Sequence, residues 1–314
     1  MKIIVTGGAG FIGSNIVDRY VSVGHEVLIL DNLSSGHFNY INKKSKFVHV
    51  DIRDSYKLDL IIQDFKPDII NHHAAQMDVR VSLTDPIFDA ETNIIGTLNI
   101  ILAATKYGVK KIIYSSTGGA VHGEPKVLPV NEEDDVVPDC AYGISKHTPE
   151  HYLKLYAKLE GLDYTVFRYP NVYGPRQSNE TAGVISIFIR QMQAKEPVNL
   201  YGYGNPIRDY VFISDICDAN DIALTKGSNS IINLGSNKGT SVKELFTLIS
   251  KHMIYDQYPN LLPLRKGEIN SIFLSNDKAK QLLDWSPTID IEEGIKMTIE
   301  WHLFQSILES YTNK

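Results

Sequence analysis

The chain has 314 residues, 43% hydrophobic and 22% charged, enough apolar material to bury a core in one large domain or two modest ones. Its net charge of −6 excludes a general nucleic-acid binder, which needs a basic surface to displace phosphate counterions, but a few Arg residues can still grip an anionic substrate. Two cysteines, Cys140 and Cys217, are too few for a disulfide framework and lie in no metal-ligand spacing, so cytoplasmic thiols and no bound metal are expected.

No apolar run reaches the roughly 18 residues of a membrane span, and Lys2–Thr6 reads as a strand rather than as part of a leader. No membrane association is expected. Along the first half, short apolar runs alternate with helical patterns. The strands are Ile3–Thr6, Glu26–Leu30, Phe47–Val50, Asp68–Asn71, Lys111–Tyr114 and Tyr164–Arg168, and the helices Ile12–Val23, Tyr56–Phe65, Asp89–Tyr107 and Tyr142–Leu159. Near-continuous hydrophobicity fits strands covered on both faces, which predicts an α/β fold with a doubly wound parallel (Rossmann) sheet. After about residue 174 Gly, Asn and Pro become frequent, and a smaller C-terminal lobe is expected. Ile231–Leu234 reads as one more core strand.

Directly after the first strand comes Gly7-Gly8-Ala9-Gly10-Phe11-Ile12-Gly13, opening a helical pattern. Bare glycines let backbone N–H groups approach a pyrophosphate, and the helix dipole favours its charge. Alone, such a run is only a glycine-rich turn. Asp31 ends the second strand at the spacing of a ribose ligand, and Asn32 and Leu33 follow it with no adjacent Arg. That favours NAD over NADP, whose 2′-phosphate would be repelled there. Asp51 and Ile52, ending the third strand, stand where the adenine ring usually lies, although Asp51 reads equally well as a solvated loop acid. The expected division is residues 1–173 plus a returning segment 211–236 for the dinucleotide, and 174–210 with 237–314 for the second lobe.

Tyr142-Gly-Ile-Ser-Lys146 opens a helix with Tyr and Lys one turn apart on the same face. A free phenol titrates near 10, and a nearby ammonium together with a cationic nicotinamide ring favours the phenolate. By itself this spacing is common on solvated helices. Here it follows a fifth strand ending Tyr114-Ser115-Ser116-Thr117-Gly118-Gly119, whose carboxyl end should face the ligand crevice. Thr117 is the first choice to hydrogen-bond the reacting substrate oxygen and Ser116 the second.

With these motifs the sequence resembles the extended short-chain dehydrogenases of the NAD-dependent epimerase/dehydratase family, most of all UDP-glucose 4-epimerases, from Met1 to about Pro287. The resemblance includes His73-Ala-Ala-Gln76, Asn93-Ile-Ile-Gly-Thr97, Arg168-Tyr-Pro-Asn171, Arg208-Asp-Tyr-Val-Phe-Ile-Ser-Asp215 and Arg265-Lys-Gly-Glu268. It implies cofactor contacts at Gly7, Gly10, Phe11, Ile12, Gly13, Asp31, Asn32, Asp51, Ile52, Ala74, Tyr142 and Lys146. It also implies that Asn171, Arg208 and Arg265 hold the diphosphate of a UDP-sugar, that Glu268 bonds the nucleotide ribose, and that Ile272 limits room around the sugar. Three positions depart from the family pattern: His122 replaces a common Tyr, Pro149 falls inside the predicted helix, and Ile272 is apolar.

The implied reaction is 4-epimerisation of a UDP-hexose through a transient 4-keto sugar. Tyr142 would move the proton, Thr117 bond the same oxygen, Lys146 hold the nicotinamide ribose, and NAD stay bound. Related 4,6-dehydratases use an Asp-Glu pair after the Thr, and decarboxylases usually carry Glu there; Gly118 and Gly119 cannot act as acid or base. UDP-GlcNAc and UDP-uronate epimerases remain alternatives, and a non-catalytic NAD-sensing scaffold a remote one. A homodimer is expected, pairing helices 89–107 and 142–159 across a two-fold axis.

Overall fold

The computed structural model describes residues 1–177, 183–265 and 269–312. Its centre is a seven-stranded sheet, parallel throughout. In chain order its first six strands are β1 (Lys2–Thr6), β2 (Glu26–Asp31), β3 (Lys46–His49), β4 (Ile69–His72), β5 (Lys111–Thr117) and β6 (Asp163–Tyr169). The strand Ser230–Asn233 pairs with β6, giving the spatial order Ser230–Asn233, β6, β5, β4, β1, β2, β3. Chain order therefore reverses between β1 and β4, and their carboxyl ends open a crevice at that switch point.

The sheet is buried on both faces. One apolar cluster joins Ile3, Val5 and Ile29 to helix α1 (Phe11–Ser22) and to the later segments around Phe212 and Trp285; the other joins Ile4, Leu30 and Ile70 to Ile100, Ile101 and Leu153. This sandwich explains why the strands read as unbroken apolar runs rather than as alternating ones.

The helix expected at 89–107 is longer. Pro86–Ala90 runs through a wide turn at Glu91–Ile95 into Gly96–Lys106. Joined in this way, Pro86–Lys106 is long and apolar enough to cross a membrane by length and composition, with 44% of its most apolar stretch buried inside the protein. The expectation that no such run exists is corrected here: the helix expected at 89–107 starts three residues earlier and stays unbroken through the wide turn. The helix Ala141–Glu160 runs on through Pro149 and ends at Gly161, whose left-handed conformation returns its N–H to Ala157.

Candidate active site

The glycine loop leaves β1 and enters α1. Gly7 has φ +66°, and a Cβ there would lie 2.7 Å from the Ala74 nitrogen; a Cβ on Gly13 would collide with the Gly7 carbonyl oxygen. Backbone thus packs on backbone where Ala74 meets the loop. Gly10 is the N-cap and has no side chain to bond the first turn, so the Phe11 and Ile12 amides lack an intrahelical acceptor. Such a cradle fits a pyrophosphate.

Asp31, 7% exposed, accepts from the Ala9 and Leu33 amides at 2.9 and 2.8 Å. Beside it Asn32 Nδ2 donates to Asp51 at 3.0 Å, so two of the expected adenosine-side residues meet across β2 and β3. Asp51 also takes a two-pronged contact from Arg53. The Arg53 hydrogen bonds, with Asn32 adding, hold its carboxyl down at about 2 against burial. Ile52 is buried against Gly96. With Asp31 buried at the end of β2 as a carboxylate-bearing acceptor, this corner fits a 2′-hydroxyl.

Across the switch point, Tyr142 and Lys146 are presented by the first turns of the helix Ala141–Glu160. Tyr142 is half-buried, and burial pushes its phenol well above the ordinary range, with Cys140 and Asp89 adding to the push. In this environment the protonated phenol is favoured; the expected phenolate rests on the nicotinamide charge as well as on Lys146. Lys146 is itself 3% exposed, and burial pulls its ammonium down to about 7 despite the opposing pull of Glu150 and Asp89. Its Nζ lies 4.5 Å from the ring centroid of Tyr114, whose hydroxyl donates to the Lys146 carbonyl.

The two candidate hydroxyls part company. Ser116, 4% exposed, donates to Glu150 Oε1 at 2.6 Å. Glu150 is gripped as well by Arg168 through Nε and Nη2, at 3.1 and 2.8 Å, and by His147. Burial alone would raise its carboxyl, but these contacts bring it to about 2. His122 closes the group, accepting from Arg168 Nη1 at 3.2 Å on one nitrogen and facing the Asp135 carbonyl with the other. Thr117 is half-buried and, among the described residues, only accepts, from the Ala120 amide at 3.4 Å, which leaves its hydroxyl proton to give. A Cβ on the adjoining Gly118 would run into Leu274, so the place beside Thr117 is filled by an apolar side chain.

The remaining candidates lie on the later segments. Exposed Asn171 donates through its side chain to the Asp209 carbonyl at 3.1 Å. Arg208 donates to the carbonyls of Ile207 and Ile269, and the Arg265 guanidinium stacks 3.6 Å from the Tyr201 ring centroid. Near them is a cleft of about 360 Å³ lined by Gly202, Tyr203, Pro206, Leu264 and Ser271. Ile272 is 4% exposed, packed with Val130 and Leu274, while its neighbours Asn270 and Ser271 face the cleft. Glu268 lies outside the described residues.

Asp209 lies in the Arg208–Asp215 motif, where no role was assigned to it, and yet ties this region together. It is buried, accepts from the Ser236 and Leu274 amides, and is raised to about 6 by burial. The roles of Tyr114, Glu150 and Arg168 also escape a sequence reading, because their partners are distant in the chain.

Residues 3–235 match the model of the NAD dependent epimerase/dehydratase family. A UDP-glucose 4-epimerase of Mycolicibacterium smegmatis is 39% identical, with 96% of this chain and 98% of that protein covered. The structure superposes with a TM-score of 0.96 on a Thermotoga maritima UDP-glucose 4-epimerase solved with UDP-glucose, at 44% identity over 98% of this chain and 100% of that one. A Thermus thermophilus UDP-glucose 4-epimerase in complex with NAD gives 0.90 at 36% identity, covering 96% and 98%.

Proposed function

Because the chain belongs to the NAD dependent epimerase/dehydratase family, we propose that it interconverts UDP-glucose and UDP-galactose at C4 with NAD as a resident cofactor. One observation carries this choice of reaction within the family. The helix that carries Tyr142 and Lys146 packs on the end of β5, where the Ser116 hydroxyl lies 3.5 Å from the Lys146 carbonyl, and the residue after Thr117 is Gly118, backed by Leu274. One proton-moving group serves one sugar oxygen, and Gly118 and Gly119 offer no acid or base where related dehydratases carry an Asp-Glu pair.

The bound nicotinamide supplies reversible hydride exchange with the sugar carbon. Tyr142 holds the proton at the sugar 4-oxygen, takes it up and returns it. Thr117 donates to that same oxygen and orients it. Lys146, kept out of water, lends positive charge that lowers the cost of a transient phenolate. Arg208, Arg265 and Asn171 hold the diphosphate, Arg offering the planar fork that phosphate oxygens fit. Residues 174–210 and 237–314 serve as the nucleotide-sugar side of the molecule.

The working form is a homodimer. Ile87, Ile95 and Leu102 on one long helix and Ile144, Leu155 and Leu159 on the other are exposed in the single chain. That is more apolar surface than a solvated helix pair carries, and an isologous contact would cover it. To test the reaction, purified protein is incubated with UDP-glucose, UDP-galactose, UDP-GlcNAc or UDP-glucuronate without added NAD, and the sugars are followed by NMR. Interconversion of the first two is expected. Loss of water or CO₂ from any sugar, or an absolute need for added NADP, would overturn the reading.

A further inference from the structure

His73 immediately follows β4, its amide donating to the Thr6 carbonyl and hydroxyl at 3.1 Å each. It thus stands at the switch point, and a Cβ on Gly7 would lie 2.8 Å from its carbonyl carbon. The ring stacks on Tyr169, with centroids 5.8 Å apart, and Nε2 lies 3.0 Å from the Tyr169 hydroxyl. Its other nitrogen, Nδ1, is buried and has no partner among the described residues.

The direction of the neighbouring hydrogen bonds settles where the proton sits. Asn71 Nδ2 donates to the Tyr20 hydroxyl and to Asn220 Oδ1. Asn220 Nδ2 in turn donates to the Tyr169 hydroxyl at 2.9 Å and to the Ile216 carbonyl at 2.8 Å. Tyr169 therefore accepts from Asn220 and has its own proton left to give, to His73 Nε2. Burial keeps the Tyr169 phenol protonated, and burial together with Lys146 holds His73 down at about 3, so the imidazole is neutral. A neutral imidazole that accepts on Nε2 carries its proton on Nδ1. What results is a buried N–H donor with no acceptor among the described residues, an arrangement that costs stability until a ligand completes it.

We propose that His73 gives this Nδ1–H to an acceptor oxygen of the bound dinucleotide, making it a further cofactor-anchoring residue with a fixed tautomer. The inference rests on the dinucleotide reading of the switch-point crevice. The glycine loop grips through amides that any anion would satisfy. His73 adds one directional contact from the opposite strand, and its neutrality avoids placing a second cation near Lys146.

The test uses the holoenzyme. NAD release is timed by exchange against labelled NAD in wild type and in His73→Phe, which keeps a ring against Tyr169 but removes both nitrogens. Release about 10-fold faster is expected, the size of one hydrogen bond at a factor of ten per ~1.4 kcal/mol, with an unchanged circular dichroism spectrum. Equal retention overturns the proposal. Should the variant fail to fold, ¹⁵N NMR of wild type decides: a protonated Nδ1 whose proton resonance moves on NAD binding is expected. Protonation at Nε2, or no NAD-dependent movement, overturns it. Wild-type protein that neither carries nor takes up NAD would instead overturn the dinucleotide reading itself.

Discussion

Lys146 should cost the ligand-free protein stability, and the cost should depend on pH. Its ammonium is 3% exposed and pulled from 10.5 to about 7 by burial, with Glu150 and Asp89 only partly offsetting the loss of water. For a base whose pKa is lowered by folding, the unfolded chain takes up the proton first. Stability is therefore fully present above about 10.5 and is lost as pH falls to about 7. The whole depression corresponds to an upper bound of about 4–5 kcal/mol at 1.36 kcal/mol per pH unit. Lys146→Met keeps the stem's volume and removes the charge. At pH 7, cofactor-stripped variant should equal or exceed wild type in urea midpoint while its turnover collapses. Between pH 7 and 9.5 wild type should gain on the variant by up to about 3 kcal/mol. Urea titrations at the two pH values measure the difference. A variant less stable than wild type at pH 7, or a difference that does not move with pH, would refute the account of a desolvated ammonium held in place for function.

Tyr142→Phe should keep NAD and UDP bound while turnover falls by the ~10²–10⁴ of a lost acid–base group, read by steady-state kinetics and ligand titration. Thr117→Val should lower turnover about 10-fold or more, whereas Ser116→Ala should leave turnover near wild type and lower the melting temperature, because that hydroxyl serves Glu150. The paired change Ile144→Asp with Leu155→Asp should convert a species of twice the chain mass into one of 35.2 kDa by light scattering; wild type already at 35.2 kDa would contradict the dimer.

Much of the crevice was legible because it is built from local spacings. The glycine loop, Asp31 at the end of the next strand, and Tyr142 with Lys146 one turn on are each set by a few residues of chain and one element boundary. The helix Pro86–Lys106 was legible as 89–107, but its first turn and the wide turn at residues 91–95 were not, because a π-turn shifts the periodicity only locally. Asp209, Tyr114 and His73 fall inside the motifs, but their roles were not legible in the sequence. Asp209 meets Ser236 and Leu274, Tyr114 meets Lys146, and His73 owes its tautomer to residues 20, 71, 169 and 220, none of them at a spacing that periodicity reports.

The Ser116–Thr117 pair shows where the boundary between legible and illegible falls. Side chains alternate along a strand, so two adjacent hydroxyls at the end of β5 cannot both address one substrate oxygen. That much is available from the sequence. Which of the two is left for the substrate depends on where the strongest competing acceptor lies. The competitor is Glu150, two turns beyond Tyr142 on the catalytic helix and held as a carboxylate by Arg168 from β6. A buried carboxylate with an Arg on one side still has lone pairs to satisfy, and Ser116 satisfies one at 2.6 Å. Ser116 therefore braces the strand end against the helix that carries Tyr142 and Lys146. Thr117, which among the described residues meets only the Ala120 amide, keeps a hydroxyl proton that the proposed reaction can use.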